Sequence, residues 1–258
     1  ELARVKHTLL LLADEKIFIP IKIFRATYWD TIEFDKIMND DISFSKNWRE
    51  PNGDKIKKGQ VACCYSHLKL LEDVVASKFK TILLLQDDVY CNKIGQLKYE
   101  IDKFNDLVKY HNDFDVYYIG KQPVSSKPFE KKYKDTKFIE TEYCYNCHAV
   151  VFSKECCSKL LKTNIYQNII PFDEFLPLCF GKSECPNLEY FQKLFPPIIK
   201  ALSSDTFENI YQVYHSTSRY KLLVDEYTRT DISNSVIIEE KNKVKTEIKE
   251  LCANRGRF

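Results

Sequence analysis

Residues 81–90 read TILLLQDDVY. The uninterrupted apolar run Ile82 to Leu85 fits a strand buried on both faces, and it stops abruptly at an amide and two carboxylates, Gln86-Asp87-Asp88. Ahead of it, QVACCYSHLKLLEDVVASKF (60–79) places Val61, Cys64, Leu68, Leu71, Val74 and Val75 at helical spacing. Behind it, 97–110 is helical in period, DVYYIG (115–120) reads as a second buried strand ending in Gly, HAVVFS (148–153) as a third, and SKECCSKLLKT (153–163) as the helix after it. Strands alternating with helices predict an α/β class with a largely parallel sheet. Such sheets bind ligands at the carboxyl ends of their strands. Three places therefore call for chemistry: Gln86-Asp87-Asp88, Gly120-Lys121, and the segment after Phe152.

Further out the pattern is coarser. ELARVKHTLLLLADE (1–15) reads as a helix and FIPIKIF (18–24) as a strand ending at Arg25. Residues 26–60 read as an irregular polar connection with turn signals at 40–41 and 51–55, long enough to shape a site. One domain over 1–220 is expected, with 221–258 as a charged helix or tail containing EEKNKVKTEIKE.

Composition narrows the function. The 258 residues are 44% hydrophobic and 14% aromatic, enough for a real core, and 39 Lys+Arg against 37 Asp+Glu give a net charge of +2. No basic surplus points to nucleic acid. No apolar run approaches the roughly 20 residues of a membrane span, and no secretory signal pattern is visible, although the first residue is Glu and not Met. Ten cysteines include the vicinal pairs Cys63-Cys64 and Cys156-Cys157, which suit buried thiols better than a secreted disulfide lattice. CYNCH (144–148) has the spacing of a haem attachment site, but the single Met38 is far away as a distal ligand, and neither Cys156-Cys157 nor Cys179 with Cys185 completes a zinc set. The pentapeptide is expected to lead into the strand begun by His148.

Two adjacent carboxylates at a buried strand end repel each other and resist desolvation. A hard divalent cation, Mg²⁺ or Mn²⁺, relieves both and neutralises a phosphate-bearing substrate; a solvated turn is the plainer alternative. The surrounding blocks bear on this choice. GQVACCYSHLKLLEDVVASKFKTILLLQDDV resembles the core of glycosyltransferase family 25, with matches at Cys63, at Ser66-His67 and at Gln86-Asp87-Asp88. DVYYIGK (115–121) is similar to that family's strand ending in Gly-Arg or Gly-Lys. PFDEFLPLCFGK (171–182) resembles the Pro-x-Asp-Glu-Phe-Leu-Pro segment of its collagen hydroxylysine branch, and IYQVYHST (210–217) its Tyr followed shortly by His. The blocks lie in family order over 59–220.

The resemblance implies a GT-A-type, Rossmann-like α/β/α sandwich that moves galactose or glucose from a UDP-sugar, with Mn²⁺ or Mg²⁺, to a hydroxyl of a collagen-like protein or a glycan. It implies the endoplasmic reticulum lumen, since the animal collagen enzymes work there; the alternative is the cytoplasm. A GT-A domain opens on a strand, and this sequence opens on what reads as the following helix, so either that strand lies upstream or the match to the family is shifted at the N-terminus.

On those grounds Asp88 is the expected metal ligand, Asp87 a second ligand or its support, and His215 a distant third ligand, set against an ordinary surface His. Gln86 stands where the family has Glu; its amide can bond a ribose hydroxyl but brings no charge to a metal. Ser66 and His67 are placed near the donor, and Arg25 and Lys121 at diphosphate or acceptor, each against a packed or solvated alternative. Asp173 is the expected base for the acceptor hydroxyl and Glu174 an acceptor-binding residue, while Pro-x-Asp-Glu is also an ordinary helix start. Gln86 also motivates the competing reading of a non-catalytic homologue kept as a binding module.

Overall fold

The structure, a computed structural model, describes residues 2–17, 19–40, 42–50, 53–124, 131–134 and 136–212. His215 and the extension 221–258 lie outside them. In chain order the elements are helices α1 (Leu2–Asp14), α2 (Ile32–Asp40) and α3 (Lys58–Ala76); strands β1 (Thr81–Leu85) and β2 (Val89–Cys91); helix α4 (Gln96–Tyr110); strands β3 (Val116–Pro123), β4 (Phe138–Glu140) and β5 (Cys144–Ser153); helices α5 (Lys154–Leu161), α6 (Phe172–Cys179) and α7 (Leu188–Leu194); and strands β6 (Ala201–Ser204) and β7 (Ile210–Gln212).

Five strands form the main sheet in the order β1-β5-β3-β6-β4, and β2 with β7 forms a separate ribbon. Side chains alternate across each strand, so each sheet face buries its own set. Val116, Tyr118, Val150 and Phe152 pack under α3, α5, α6 and α7, whereas Tyr117, Ile119, Ala149 and Val151 pack under α1 and α4. This is the expected α/β/α sandwich. Ser153 turns strand into helix: its Oγ accepts from the Cys156 amide at 3.0 Å and caps α5.

The sheet is mixed and not largely parallel. Only β3 with β6 is a parallel pair; β5 runs antiparallel to both β1 and β3, and β4 antiparallel to β6. A parallel return needs a crossover helix, and no helix lies between β3 and β5 among the described residues. The strand–helix alternation still holds for β1, β3 and β6, which share one direction. β1 is also less buried than a central strand, because it lies at the edge of the described sheet with one bonded neighbour.

Three local readings change for physical reasons. Residues 81–90 do not form one strand: the chain turns at Gln86-Asp88, with the Val89 amide donating to the Gln86 carbonyl at 3.2 Å, and leaves the main sheet for the ribbon. Residues 19–29 form no strand, because they run along α3, whose backbone groups are already paired, and Ile19 and Ile21 stay exposed. Lys22 pairs with Asp73 at 2.6 Å, and the Thr27 amide donates to Ser66 Oγ at 2.8 Å, so the segment is a strap held by side chains. The connection 26–60 contains α2, capped by Thr31 Oγ1, which accepts from the Phe34 amide at 3.1 Å. Phe34 buries completely.

Gly120 sits where sheet and ribbon meet. A Cβ there would lie 2.5 Å from the Ile210 carbonyl oxygen and 2.6 Å from His148 Nε2. Those two atoms are bonded to each other at 2.9 Å, with the imidazole N–H donating. Gly120→Ala is therefore expected to lower stability by about 3 kcal/mol through overpacking against backbone, read as a lower urea midpoint; an unchanged midpoint would contradict this close approach.

Candidate active site

The turn after β1 displays the acidic motif. The Gln86 amide still donates to the His148 carbonyl on β5 at 2.9 Å, the last rung before the chain departs. Gln212, at the end of β7, then donates both side-chain N–H groups, to Gln86 Oε1 at 3.1 Å and to Asp88 Oδ2 at 2.8 Å. Asp88 Oδ1 is buried and has no partner among the described residues. Leaving such an oxygen unsatisfied costs about 1–3 kcal/mol or more for a charged group, so the fold holds one carboxylate oxygen open. Asp87 beside it is half-buried.

His67 explains why an amide suits position 86. Its Nδ1 lies 2.8 Å from the Cys63 carbonyl, which only accepts, so Nδ1 carries the proton. Its Nε2 is then the acceptor facing the Gln86 amide nitrogen at 3.5 Å. The ring stacks on Phe172 at 4.4 Å, and burial lowers its pKa and keeps it neutral. A Glu at 86 would face that lone pair with a lone pair of its own.

The second acidic motif opens α6. Neither Asp173 nor Glu174 caps the helix through the residue before it, since the N-cap is Pro171 without a side-chain bond. Asp173 Oδ2 faces the Asn146 amide of β5 at 3.5 Å, and burial raises its pKa, with Glu50 adding to the rise. Glu174 is buried and accepts from the Tyr143 hydroxyl at 2.7 Å; burial pushes it up to about 7, with Asp173 and Glu50 as smaller contributors. Asn146 holds a left-handed φ of 66° within an irregularity of the β3–β5 register, which aims its N–H out of the ladder. Cys63, exposed on α3, is close enough to both motifs to feel their charge: surrounding protein and, to a smaller extent, Asp173 and Asp88 push its thiol up to about 11.

CYNCH is thus the strand that spans the site. Cys144, Cys147 and His148 are buried in β5, the nine described cysteines are free thiols, and the His148 carbonyl and Asn146 amide serve the two motifs.

Other expected site residues fall elsewhere. Ser66 donates to the Ala62 carbonyl at 2.7 Å and holds the strap. Arg25 is exposed on that strap. Lys121 is buried within β3, not solvated at a strand end, with its ammonium 4.6 Å from the Phe207 ring centre. Gln212 and Glu50 escape sequence reading. Gln212 lies inside the quoted block IYQVYHST, but an amide bears no recognisable pattern; Glu50 lies in the long polar connection and is fixed by Trp48 Nε1 at 3.0 Å and Gln60 Nε2 at 2.9 Å.

The unbonded Asp88 oxygen and the neighbouring Asp87 are the hard oxygen donors that a divalent cation takes. Among the described residues no three His, Cys, Asp or Glu side chains group to hold a metal by themselves.

The family model described as Glycosyltransferase family 25 (LPS biosynthesis protein) matches residues 3–176. The chain belongs to glycosyltransferase family 25. It is 26% identical over 222 residues to procollagen galactosyltransferase 2 of Homo sapiens, which covers 85% of this chain and 34% of that protein. It is 29% identical over 192 residues to the procollagen lysyl hydroxylase and glycosyltransferase of Acanthamoeba polyphaga mimivirus, covering 67% of this chain and 20% of that protein. It is also 26% identical over 171 residues to the inactive glycosyltransferase 25 family member 3 of Homo sapiens, covering 65% and 28%. The chain therefore spans about a third or less of the curated relatives it matches. No helix among the described residues is long and apolar enough to cross a membrane.

Glu174 has a measurable consequence. Its pKa rises from 4.5 to about 7 on folding, so the native state holds a proton that the unfolded state releases. Stability should be highest below pH 4.5 in this component and fall as pH rises to 7, by roughly 3 kcal/mol in full. Glu174→Gln should flatten the urea midpoint between pH 5 and 7.5; a wild-type midpoint that rises over that window contradicts the assignment.

Proposed function

We propose that this family 25 domain transfers a hexose, galactose or glucose, from a UDP-sugar to a hydroxyl group of hydroxylysine or galactosyl-hydroxylysine in a collagen-like protein. The observation that carries this reading is the pair of acidic motifs served by one strand, Asp88 with a buried oxygen left without a bond among the described residues, and Asp173 facing the Asn146 amide of β5, both near enough to Cys63 to act on its thiol.

Asp88 and Asp87 would hold Mn²⁺ or Mg²⁺, with His215 as a further ligand, and that cation would supply the positive charge opposite the leaving diphosphate. Gln212 fixes the Asp88 carboxylate through one oxygen and leaves the other, buried and without a bond among the described residues, for a cation, and Gln86 with neutral His67 offers amide and imidazole contacts without adding charge. At the acceptor face Asp173 takes the proton from the hydroxyl. In a direct displacement that oxygen bonds to the anomeric carbon while the bond to the phosphate oxygen breaks, its electron pair leaving with UDP. A carboxylate raised by burial accepts a proton more readily than a solvated one. Glu174, protonated below about pH 7 and bonded to Tyr143, positions the acceptor. The reaction belongs to the endoplasmic reticulum lumen, where the collagen-modifying branch of the family works.

A second reading has its own support. Gln86 replaces the family's acidic residue, and relatives of similar identity carry the description inactive. A binding module on the same scaffold would keep UDP affinity and show no transfer.

UDP release from UDP-galactose and UDP-glucose, with Mn²⁺ and a hydroxylysine-containing collagen peptide, separates the two. Wild-type protein should release UDP only with acceptor present, and Asp88→Ala should lower the rate about 100-fold. Equal turnover in both proteins removes Asp88 from the mechanism; none in either, with UDP still bound, favours the binding module.

A further inference from the structure

Tyr28 and Trp29 are 63% and 43% exposed, with ring centres 6.0 Å apart at 36°. Neither the core nor the chemistry above uses them. The strap that carries them is nevertheless fixed, by the Lys22–Asp73 ion pair and the Thr27–Ser66 bond. Gly59 on α3 leaves room for the indole, whose Cδ1 lies 3.6 Å from where a Cβ would stand. The rings are thus presented on an anchored segment, which lowers the ordering cost of binding.

Their position connects them to the acceptor side. Gly59 adjoins Gln60, which holds Glu50, whose charge acts on both Asp173 and Glu174. Among the described residues the hydrogen bonds to these three carboxylates come from neutral groups: Trp48 and Gln60 on Glu50, the Asn146 amide on Asp173, Tyr143 on Glu174. An incoming cation would bring the opposite charge that these neutral partners do not supply.

We propose that the Tyr28–Trp29 pair is the docking platform for the chain that flanks the acceptor: a proline-rich peptide in the extended polyproline helix, carrying an amine-bearing side chain that enters beside Glu50 and Asp173. Exposed aromatic rings pack against the pyrrolidine rings of that helix, which is pre-formed and loses little entropy on binding. This inference rests on the protein acceptor proposed above and names the surface that would select it.

The sequence supplies its own probe, because Trp29 and the buried Trp48 are the two tryptophans. A peptide of Gly-Pro-hydroxyproline triplets containing one lysine should shift Trp29 emission saturably, and Tyr28→Ala should weaken that titration at least 5-fold with an unchanged thermal midpoint. A Gly/Ser-rich peptide with the same lysine should give no saturation. Overturning results are no saturable shift with the triplet peptide, an equal shift with the Gly/Ser peptide, or a shift with a neutral saccharide alone. Transfer assays separate this inference from the activity itself. Turnover with peptide KM unchanged in Tyr28→Ala and Trp29→Ala removes the platform and keeps the enzyme. Saturable binding without turnover removes the enzyme and keeps the platform.

Discussion

The site depends on the backbone of one strand. Within three residues, β5 receives the Gln86 amide at the His148 carbonyl and offers the Asn146 amide to Asp173. The first bond ends the β1 rung pattern and fixes where the acidic turn begins. The second ties Asp173, at the start of α6, to the strand. The first is the last rung of the β1–β5 ladder, and the second uses an N–H that lies within the register irregularity between β3 and β5. The separation of the two acidic motifs is therefore set by β5 and not by loops. The ribbon of β2 and β7 is locked to the same strand through the His148–Ile210 bond across Gly120, and its last residue, Gln212, orients Asp88.

Around this frame charge is distributed unevenly. On the Asp88 side the packed partners are neutral: Gln86, Gln212, and His67 with its proton on Nδ1. On the Asp173 side three carboxylates stand together, and burial holds Glu174 near neutrality at its upper pKa of about 7. In the proposed transfer the first half would serve a cation and the diphosphate, and the second the acceptor hydroxyl. This division matches the demands of glycosyl transfer on a family 25 scaffold.

Much of this was readable from residue order, and what was not has a common cause. The helices at 58–76, 96–110 and 154–161 and the buried strands at 116 and after 148 follow from apolar periodicity, a local property. Asp88, Asp173 and Glu174 stood out because carboxylates beside apolar runs are conspicuous. Strand direction was misread because alternation of strands and helices says nothing about where a helix-free return inserts β5. FIPIKIF alternates like a strand, yet alternation cannot say whether a sheet edge or a finished helix lies alongside. Gln212 and Glu50 were missed because their roles arise from bonds across 124 and 10 residues of sequence, respectively. CYNCH looked like a cofactor motif, and its importance lies in two backbone groups that no side-chain pattern reveals.

A crystal structure of the protein grown with UDP and Mn²⁺ tests the central claim most directly. The account predicts an anomalous manganese peak at coordination distance from Asp88, with the diphosphate of UDP next to it and no manganese on Asp173. Manganese seated on Glu50, Asp173 and Glu174, or UDP bound away from the turn at 86–88, would contradict it.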